Sequence, residues 1–266
     1  MTLKVAIHGA AGRMGKTLVR LVHESPELEL AAAVDSANSP LLGRDAGEVA
    51  GVGPLGWPIT ASLEALASAD VVVDFSLPVA LPGLFDAVKR YSRPLVLATT
   101  GLDEALWKRV DELARQLPLV AAPNYSTGVA VLYHLAQKAS ALLADFDLEV
   151  VEMHHRNKID APSGTALGLV EAAARGRDLD AKANSIYGRE GHPGARTDKE
   201  IGVMTLRGGD VIGDHSLILA GPGERLELAH KATNRDLFAR GALRAASWVA
   251  GQKPGRYGMN HVLGLD

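Results

Sequence analysis

A doubly wound parallel α/β sheet joined to a second α+β domain with a mostly antiparallel sheet is the architecture this sequence predicts, on three observations. A short apolar stretch near the start runs directly into a turn with glycines at positions 9, 12 and 15. Up to about residue 126, apolar stretches of strand length alternate with stretches of helical period, as in a parallel sheet. Beyond Asp147 that alternation stops, and three strand-like stretches follow one another across glycine-rich turns.

The length of 266 residues suits one large domain or two modest ones, and 47% apolar with 22% charged residues is ordinary for a globular chain. A formal net charge of −3 argues against general affinity for nucleic acid or anionic membrane. There is no cysteine, which excludes disulfides, thiol nucleophiles and thiolate metal ligands and fits a reducing compartment. Val5-Ala6-Ile7 is too short for a signal-peptide core, and no run reaches the roughly 18 apolar residues of a membrane helix. A cytoplasmic protein without nucleic-acid or membrane partners is expected.

Leu3–His8 reads as a buried strand, Lys16–His23 as a helix with Leu18, Leu21 and Val22 on one stripe, and Leu28–Val34 as a second strand. Between the first two lies Gly9-Ala-Ala-Gly12-Arg-Met-Gly15, and Asp35 follows twenty residues after Gly15. Gly9 permits the tight turn, Gly12 lets a pyrophosphate approach the backbone, and Gly15 lets the helix pack closely. The N–H groups of the first helical turn face the anion, and Asp35 accepts from the ribose hydroxyls. A glycine turn alone would only turn the chain. Its place between strand and helix, with an acid at the right offset, makes this a Rossmann-like dinucleotide site. Asp35 and the non-basic Ser36 disfavour a 2′-phosphate, so NADH is the expected cofactor; Arg13 leaves NADPH as a second choice.

The alternation continues. Ala37–Trp57 reads as loop with a short strand or helix at most, Asp70–Phe75 as a strand, and Val79–Tyr91 as a helix after Pro78. Pro94–Gly101 reads as a strand, Asp103–Gln116 as a helix capped by Asp103, and Leu119–Ala122 as a further strand. Ligands of such sheets bind beyond the carboxyl ends of the strands. Ser76-Leu77, Ala98-Thr99-Thr100-Gly101 and Ala122-Pro123-Asn124-Tyr125 are therefore cofactor candidates.

In the second half, Gly128–Ala144 reads as a helix with Val131, Leu132, Leu135 and Leu142 as its apolar face. Asp147–His155 reads as a strand, and Gly164–Arg175 as a helix burying Ala166, Leu169, Val170 and Ala173. Residues 176–200 read as a polar loop. Ile201–Leu206, Val211–Ala220 and Glu224–Ala232 read as consecutive strands turning at 207–210 and 221–223, with His230 a core or interface histidine. Leu237–Val249 returns to a helix, followed by a tail broken by Gly and Pro.

One stretch asks for chemistry rather than packing: Glu152-Met-His-His-Arg-Asn-Lys-Ile-Asp-Ala-Pro-Ser-Gly-Thr-Ala166. Strand alternation sets Glu152 and His154 on one face and Met153 and His155 on the other, so both histidines reach one pocket only if the strand ends or bends near Arg156. Lys158 lies in the following loop, free to fold back. Ser163 or Thr165 caps a helix whose first N–H groups suit a carboxylate. These residue types suit reduction of a C=N bond or conjugated carbon acid, with histidine or lysine delivering the proton and spare positive charge holding an anionic substrate. Zinc at His154, His155 and Asp160 is not expected: adjacent histidines diverge on a strand, and no fourth ligand is near.

The glycine turn, Ala98-Thr-Thr-Gly101, Ala122-Pro-Asn-Tyr-Ser126, Gly188-Arg-Glu-Gly-His192, His230-Lys-Ala232 and above all the His-His stretch resemble the dihydrodipicolinate reductases, nearly end to end. The resemblance implies NAD(P)H-dependent reduction of a cyclic dicarboxylate, 4-hydroxy-tetrahydrodipicolinate, with loss of water, in diaminopimelate and lysine biosynthesis. It implies His154 as proton donor or acceptor, Lys158 as proton donor, and His155, Gly164 and Thr165 as substrate-binding residues. Gly9, Ala10, Ala11, Gly12, Arg13, Met14, Asp35, Ser36, Ala98, Thr99, Thr100, Ala122, Pro123, Asn124 and Tyr125 would bind cofactor. It further implies a discontinuous dinucleotide-binding domain (residues 1–126 and 235–266), a substrate-binding and oligomerisation domain (127–234), and a homotetramer. Ala98 stands where relatives often carry glycine, and Ser36 where some carry arginine. The alternatives are another two-domain nicotinamide reductase, such as an amino-acid dehydrogenase, and a non-catalytic dinucleotide sensor, which would need an effector element the sequence does not display.

Overall fold

The computed structural model describes residues 2–265. In chain order its elements are β1 (Leu3–His8), α1 (Arg13–Glu24), β2 (Leu28–Val34), α2 (Ala46–Ala50), β3 (Ile59–Thr60), β4 (Val71–Asp74), α3 (Leu81–Tyr91), β5 (Leu95–Leu97), α4 (Glu104–Ala114) and β6 (Pro118–Ala121). Then come α5 (Thr127–Leu142), β7 (Asp147–His154), α6 (Gly164–Gly176), α7 (Ala181–Asn184), β8 (Ser185–Ile186), β9 (Ile201–Arg207), β10 (Gly213–Gly221) and β11 (Glu224–Ala232). The chain closes with α8 (Asp236–Val249), β12 (Gly255–Tyr257) and α9 (Met259–Leu263). Two compact units result, Met1–Ser126 with Asp236–Asp266, and Thr127–Arg235.

The first unit holds a parallel sheet in the order β12-β6-β5-β4-β1-β2-β3. The chain winds outward from β1 to β3, then returns to β4 on the other side of β1, so the switch point falls between β1 and β4. The middle residues of β1 and β4, Val5-Ala6-Ile7 and Val71-Val72-Val73, are fully buried, because helices cover both faces of such a sheet. Leu18, Val19, Leu21 and Val22 form the buried side of α1, and Asp103 caps α4 by accepting the Leu106 N–H at 2.8 Å. α8 packs on β4, β5 and β6 through a face of small residues that includes Ala239, Gly241, Ala242, Ala245 and Ala246. The broken tail expected after it contains β12, which extends the sheet parallel to β6. Three residues between Gly and Pro are too short to show a period.

Within 37–57, one side chain gathers five backbone N–H groups, beside backbone bonds such as Ala46 N–H to the Trp57 carbonyl at 2.8 Å. Asp45 caps α2 through the Gly47 and Glu48 N–H groups and also accepts from those of Leu55, Gly56 and Trp57. These backbone bonds, that of Leu55 foremost, hold its carboxyl below the usual carboxylate range.

The second unit holds a five-stranded sheet in the order β11-β10-β7-β9-β8. The long β10 ladders to β11 and β7 are antiparallel, while β7–β9 and β8–β9 are parallel. The hairpin expected at 207–210 does not form: β7 lies between β9 and β10, and residues 208–212 cross its end. There Gly208 N–H donates to the His154 carbonyl at 2.9 Å, and Arg156 N–H to that of Gly209 at 3.2 Å. Adjacency in sequence was a poor guide because β7, formed earlier in the chain, takes the middle position.

α5 and α6 bury Leu132, Ala136, Leu169, Val170 and Ala173 in one core with Leu148, Val150, Ile201, Val203, Leu217 and Leu219 of the sheet. On α5 the buried residues are Val129, Leu132, Ala136 and Ser140, whereas Val131, Leu135 and Leu142 are exposed, at 36%, 46% and 83%. Apolarity misplaced that stripe because the contact with α6 favours small residues: a Cβ on Gly176 would stand 2.3 Å from the Gln137 carbonyl oxygen. Residues 176–200, expected as loop, include α7 and β8. Their remainder is fastened by Arg189 and Arg196, which bond Glu149 of β7 at 2.7 and 2.9 Å.

Candidate active site

In the first unit, Gly9 has φ +86°, and a Cβ there would stand 2.6 Å from the Phe75 carbonyl oxygen, so the turn out of β1 requires glycine. A Cβ on Gly15 would stand 2.1 Å from the Gly9 carbonyl oxygen, a measure of how closely α1 packs on the turn. The Gly9 and Ala10 N–H groups donate to the Val34 carbonyl at 2.8 and 3.0 Å. Asp35 accepts the Ala11 N–H at 2.7 Å and the Ser36 N–H at 2.8 Å. α1 begins at Gly12 with no side-chain cap and no acid in its first turn, and Gly12 and Arg13 are exposed with Met14 half-buried. An uncapped helix start beside a fixed carboxylate fits the diphosphate and ribose of a dinucleotide.

At the carboxyl ends of the central strands lies a buried polar cluster. Asp74, at the end of β4, receives the Thr99 hydroxyl at 2.7 Å and holds the His8 Nδ1, at the end of β1, at 2.7 Å. The Ala98 N–H donates to the Asp74 carbonyl at 3.0 Å. Tyr125 is buried, and its hydroxyl reaches the carbonyls of Leu97 at 2.9 Å and Val120 at 3.0 Å, bracing β5 against β6. Burial, followed by the charge of Asp74, pushes its phenol well above the ordinary range. Asn124 accepts the Ser126 N–H at 2.8 Å. Thr99, Thr100, Ala122 and Pro123 line a cavity of about 140 Å³ with Leu97, Gly101, Leu102, Trp107 and Ala121.

In the second unit, the buried positions of three adjacent strands turn from apolar to polar at the same height. On β7 the inward series is Leu148, Val150, Glu152, His154. In register, β10 sets His215 opposite Glu152, and β9 sets Thr205 opposite Glu152 and Arg207 opposite His154. Glu152, fully buried, binds Arg207 in a fork at 2.9 and 3.0 Å, the His154 Nδ1 at 2.5 Å and the Ser163 N–H at 3.0 Å. Burial raises its pKa, but Arg207, His154 and Ser163 together outweigh that and hold the carboxyl below its ordinary value. Burial lowers the pKa of His154, against the opposing pull of Glu152. Burial, followed by the charge of His154, pushes His215 down to about 4, so it is neutral at physiological pH.

The segment after β7 closes over this corner. Lys158 N–H donates to the His155 carbonyl at 3.1 Å, and its ammonium binds Asp160 at 2.7 and 2.8 Å, which lowers the Asp160 pKa. Arg207 also donates to the Asp160 carbonyl at 2.6 Å. After a cis Ala161–Pro162 bond, Ser163 caps α6 by accepting the Ala166 N–H at 3.1 Å, and its hydroxyl lies 3.0 Å from the His215 Nε2. Gly164 and Thr165 open the helix, exposed and half-buried.

The structure therefore gathers His154, Lys158, Gly164 and Thr165 at the junction of β7 and α6. His155 has a different neighbour, Arg235, at 3.4 Å from its Nε2. β7 ends at His154 and the chain turns at Arg156-Asn157, the strand end that the sharing of one pocket by the two histidines requires. The sequence reading assigned no role to Glu152, Arg207, His215, His8 or Asp74. Glu152 was within reach, since alternation already set it beside His154. Arg207 and His215 were not, because their placement depends on register with β7.

Residues 3–125 match the family model described as dihydrodipicolinate reductase, N-terminus, and residues 128–263 that described as dihydrodipicolinate reductase, C-terminus. The chain is 51% identical over 267 residues to the 4-hydroxy-tetrahydrodipicolinate reductase of Alkalilimnicola ehrlichii and 48% identical over 267 residues to that of Halorhodospira halophila, covering 100% of each chain in both pairs. Among solved structures, a dipicolinate-bound dihydrodipicolinate reductase from Paenisporosarcina sp. TG-14 is similar with a TM-score of 0.76 and 26% identity, over 98% of this chain and 99% of that one. The DAP dehydrogenase of C. glutamicum, at TM-score 0.55 and 13% identity over 99% and 96% of the chains, shares the fold alone.

Proposed function

Since the chain belongs to the dihydrodipicolinate reductase family, we infer that it reduces 4-hydroxy-tetrahydrodipicolinate to tetrahydrodipicolinate with loss of water, using NAD(P)H, in diaminopimelate and lysine biosynthesis. One observation carries the reading beyond the family: the buried corner where an imidazole, paired with an ionised carboxylate, and an ammonium meet the start of α6. His154 and Lys158 manage protons there. The N–H groups at Gly164 and Thr165 receive a carboxylate of the cyclic dicarboxylate, and His155 with Arg235 adds a polar contact. The dipicolinate in the Paenisporosarcina relative supports a substrate of that class.

The first unit is the dinucleotide-binding domain and the second the substrate-binding and oligomerisation domain. The residues that hold the cofactor are Gly9–Met14 and Asp35-Ser36, with Ala98, Thr99, Thr100 and Ala122–Tyr125 at the strand ends. Bound there, the nicotinamide supplies the hydride. The fixed Asp35 carboxylate favours NADH over NADPH, which Arg13 admits as second choice. No helix among the described residues is long and apolar enough to cross a membrane, and the proposed setting is a cytoplasmic homotetramer.

The test is loss of reduced-nicotinamide absorbance by the purified protein when dihydrodipicolinate synthase supplies the substrate. Oxidation of cofactor only with an amino-acid or keto-acid substrate would move the chain to the dehydrogenase alternative.

A further inference from the structure

Glu152 sits with no exposed surface, and everything that touches its carboxylate donates: the Arg207 fork, the Ser163 N–H and, at 3.4 Å, the Thr205 hydroxyl. A carboxylate held in this way is ionised and can only accept. The hydrogen between its Oε2 and the His154 Nδ1, 2.5 Å apart, therefore belongs to the imidazole. At the other ring nitrogen the surroundings are reversed. Nε2 of His154 has no hydrogen-bond partner among the described residues, and a Cβ on Gly213 would stand 2.9 Å from it. A glycine is what keeps that nitrogen uncovered.

We propose that Glu152 is a positioning residue for His154: it fixes the Nδ1–H tautomer and leaves Nε2, in the space beside Gly213, as the nitrogen that exchanges the proton with substrate. The proposal rests on the reading of His154 as the proton-handling residue and specifies the atom and the group that prepares it.

The charged and titratable groups facing the ring are few. β9 contributes Arg207, whose charge Glu152 offsets, and the loop contributes Lys158, offset by Asp160. β10 contributes His215, its ring edge-on to His154 at 5.0 Å, and β11 contributes His230 beyond it. Burial keeps both of these histidines below their ordinary pKa, so neither adds a charge at neutral pH. Among the described residues, Glu152 is thus the one group bonded to the ring that favours its protonated form.

Histidine ¹⁵N NMR on the intact protein reads the tautomer directly. The expected state of neutral His154 is Nδ1–H with a bare Nε2; an Nε2–H tautomer overturns the proposal, whatever the turnover. In Glu152→Gln the Nε2–H form should gain population, kcat should fall about 10²-fold with both KM values changed less than about threefold, and the His154 limb of the pH profile should move to lower pH. Wild-type kcat and an unmoved limb in that variant overturn it. Should the variant not fold, Gly213→Ala gives the second test: an unchanged His154 titration with a kcat lowered about tenfold or more supports the role of Nε2, and wild-type kcat overturns it. Absence of nicotinamide oxidation by the wild-type chain would instead defeat the functional reading itself.

Discussion

The Asp35 carboxylate accepts the Ala11 N–H at 2.7 Å, so the acid at the end of β2 is fastened to the glycine turn at the end of β1. In the cofactor site proposed above, a ribose would meet an acceptor already in place, and a 2′-phosphate would meet its repulsion. Asp35→Asn keeps an acceptor for Ala11 and removes the charge. The ratio of kcat/KM with NADPH to that with NADH should rise about tenfold, or about 1.4 kcal/mol. Steady-state kinetics with both cofactors decide it, and an unchanged ratio removes Asp35 from cofactor discrimination.

The Lys158 Nζ is held against Asp160 at 2.7 Å, close enough for its charge to be felt at His154. Lys158→Ala should lower kcat by about 10²-fold or more, the usual worth of a general acid, while NADH affinity changes less than about threefold. Equal losses in turnover and NADH affinity would remove its proton-delivery role.

Burial pushes His215 from its ordinary 6.5 down to about 4. Its folded pKa lies below the unfolded one, so the unfolded chain takes up the proton first as pH falls. Stability linked to this group is complete above about pH 6.5 and is lost between there and about pH 4, on the order of 3 kcal/mol. His215→Gln keeps a partner for Ser163 and cannot titrate. Denaturant unfolding at a series of pH values should show wild type losing more stability than the variant across that window, and parallel curves would contradict the assignment.

Asp45 gathers the N–H groups of Gly47, Glu48, Leu55, Gly56 and Trp57. Asp45→Ala should speed amide exchange at Leu55, Gly56 and Trp57 while leaving β1 and β4 protected. Because the Asp45 pKa is lowered on folding, its contribution holds above the unfolded value of about 3.9 and disappears as pH falls through the folded one. Exchange at those amides unaffected by the substitution would show that the segment is ordered by something else.

The parallel sheet was legible because its signal is local: the central strands are short, mostly apolar runs, the helices between them carry their own apolar stripes, and Asp103 marks the start of α4. The glycine turn with Asp35 was legible for the same reason, with all its parts within 27 consecutive positions, from Gly9 to Asp35. What stayed hidden depends on pairing at a distance. Nothing in a single sequence says that β7 enters between β9 and β10, and that insertion is what brings Arg207 and His215 beside Glu152. The α5 face was misread because Ala136 and Ser140 are buried for their size while the more apolar Leu135 and Leu142 are not.

β7 is the middle strand of its sheet, hydrogen-bonded to β10 on one side and β9 on the other almost throughout its length. A strand so placed cannot open by fraying; both ladders must break together, and its amides should exchange only through global unfolding. His154 closes this strand, one residue past the β10 ladder and opposite Arg207 of β9. On the reading proposed above, rearrangement during a catalytic cycle falls to the loops, which can vary for substrate entry or product release without moving the strand that carries the proposed proton-handling imidazole.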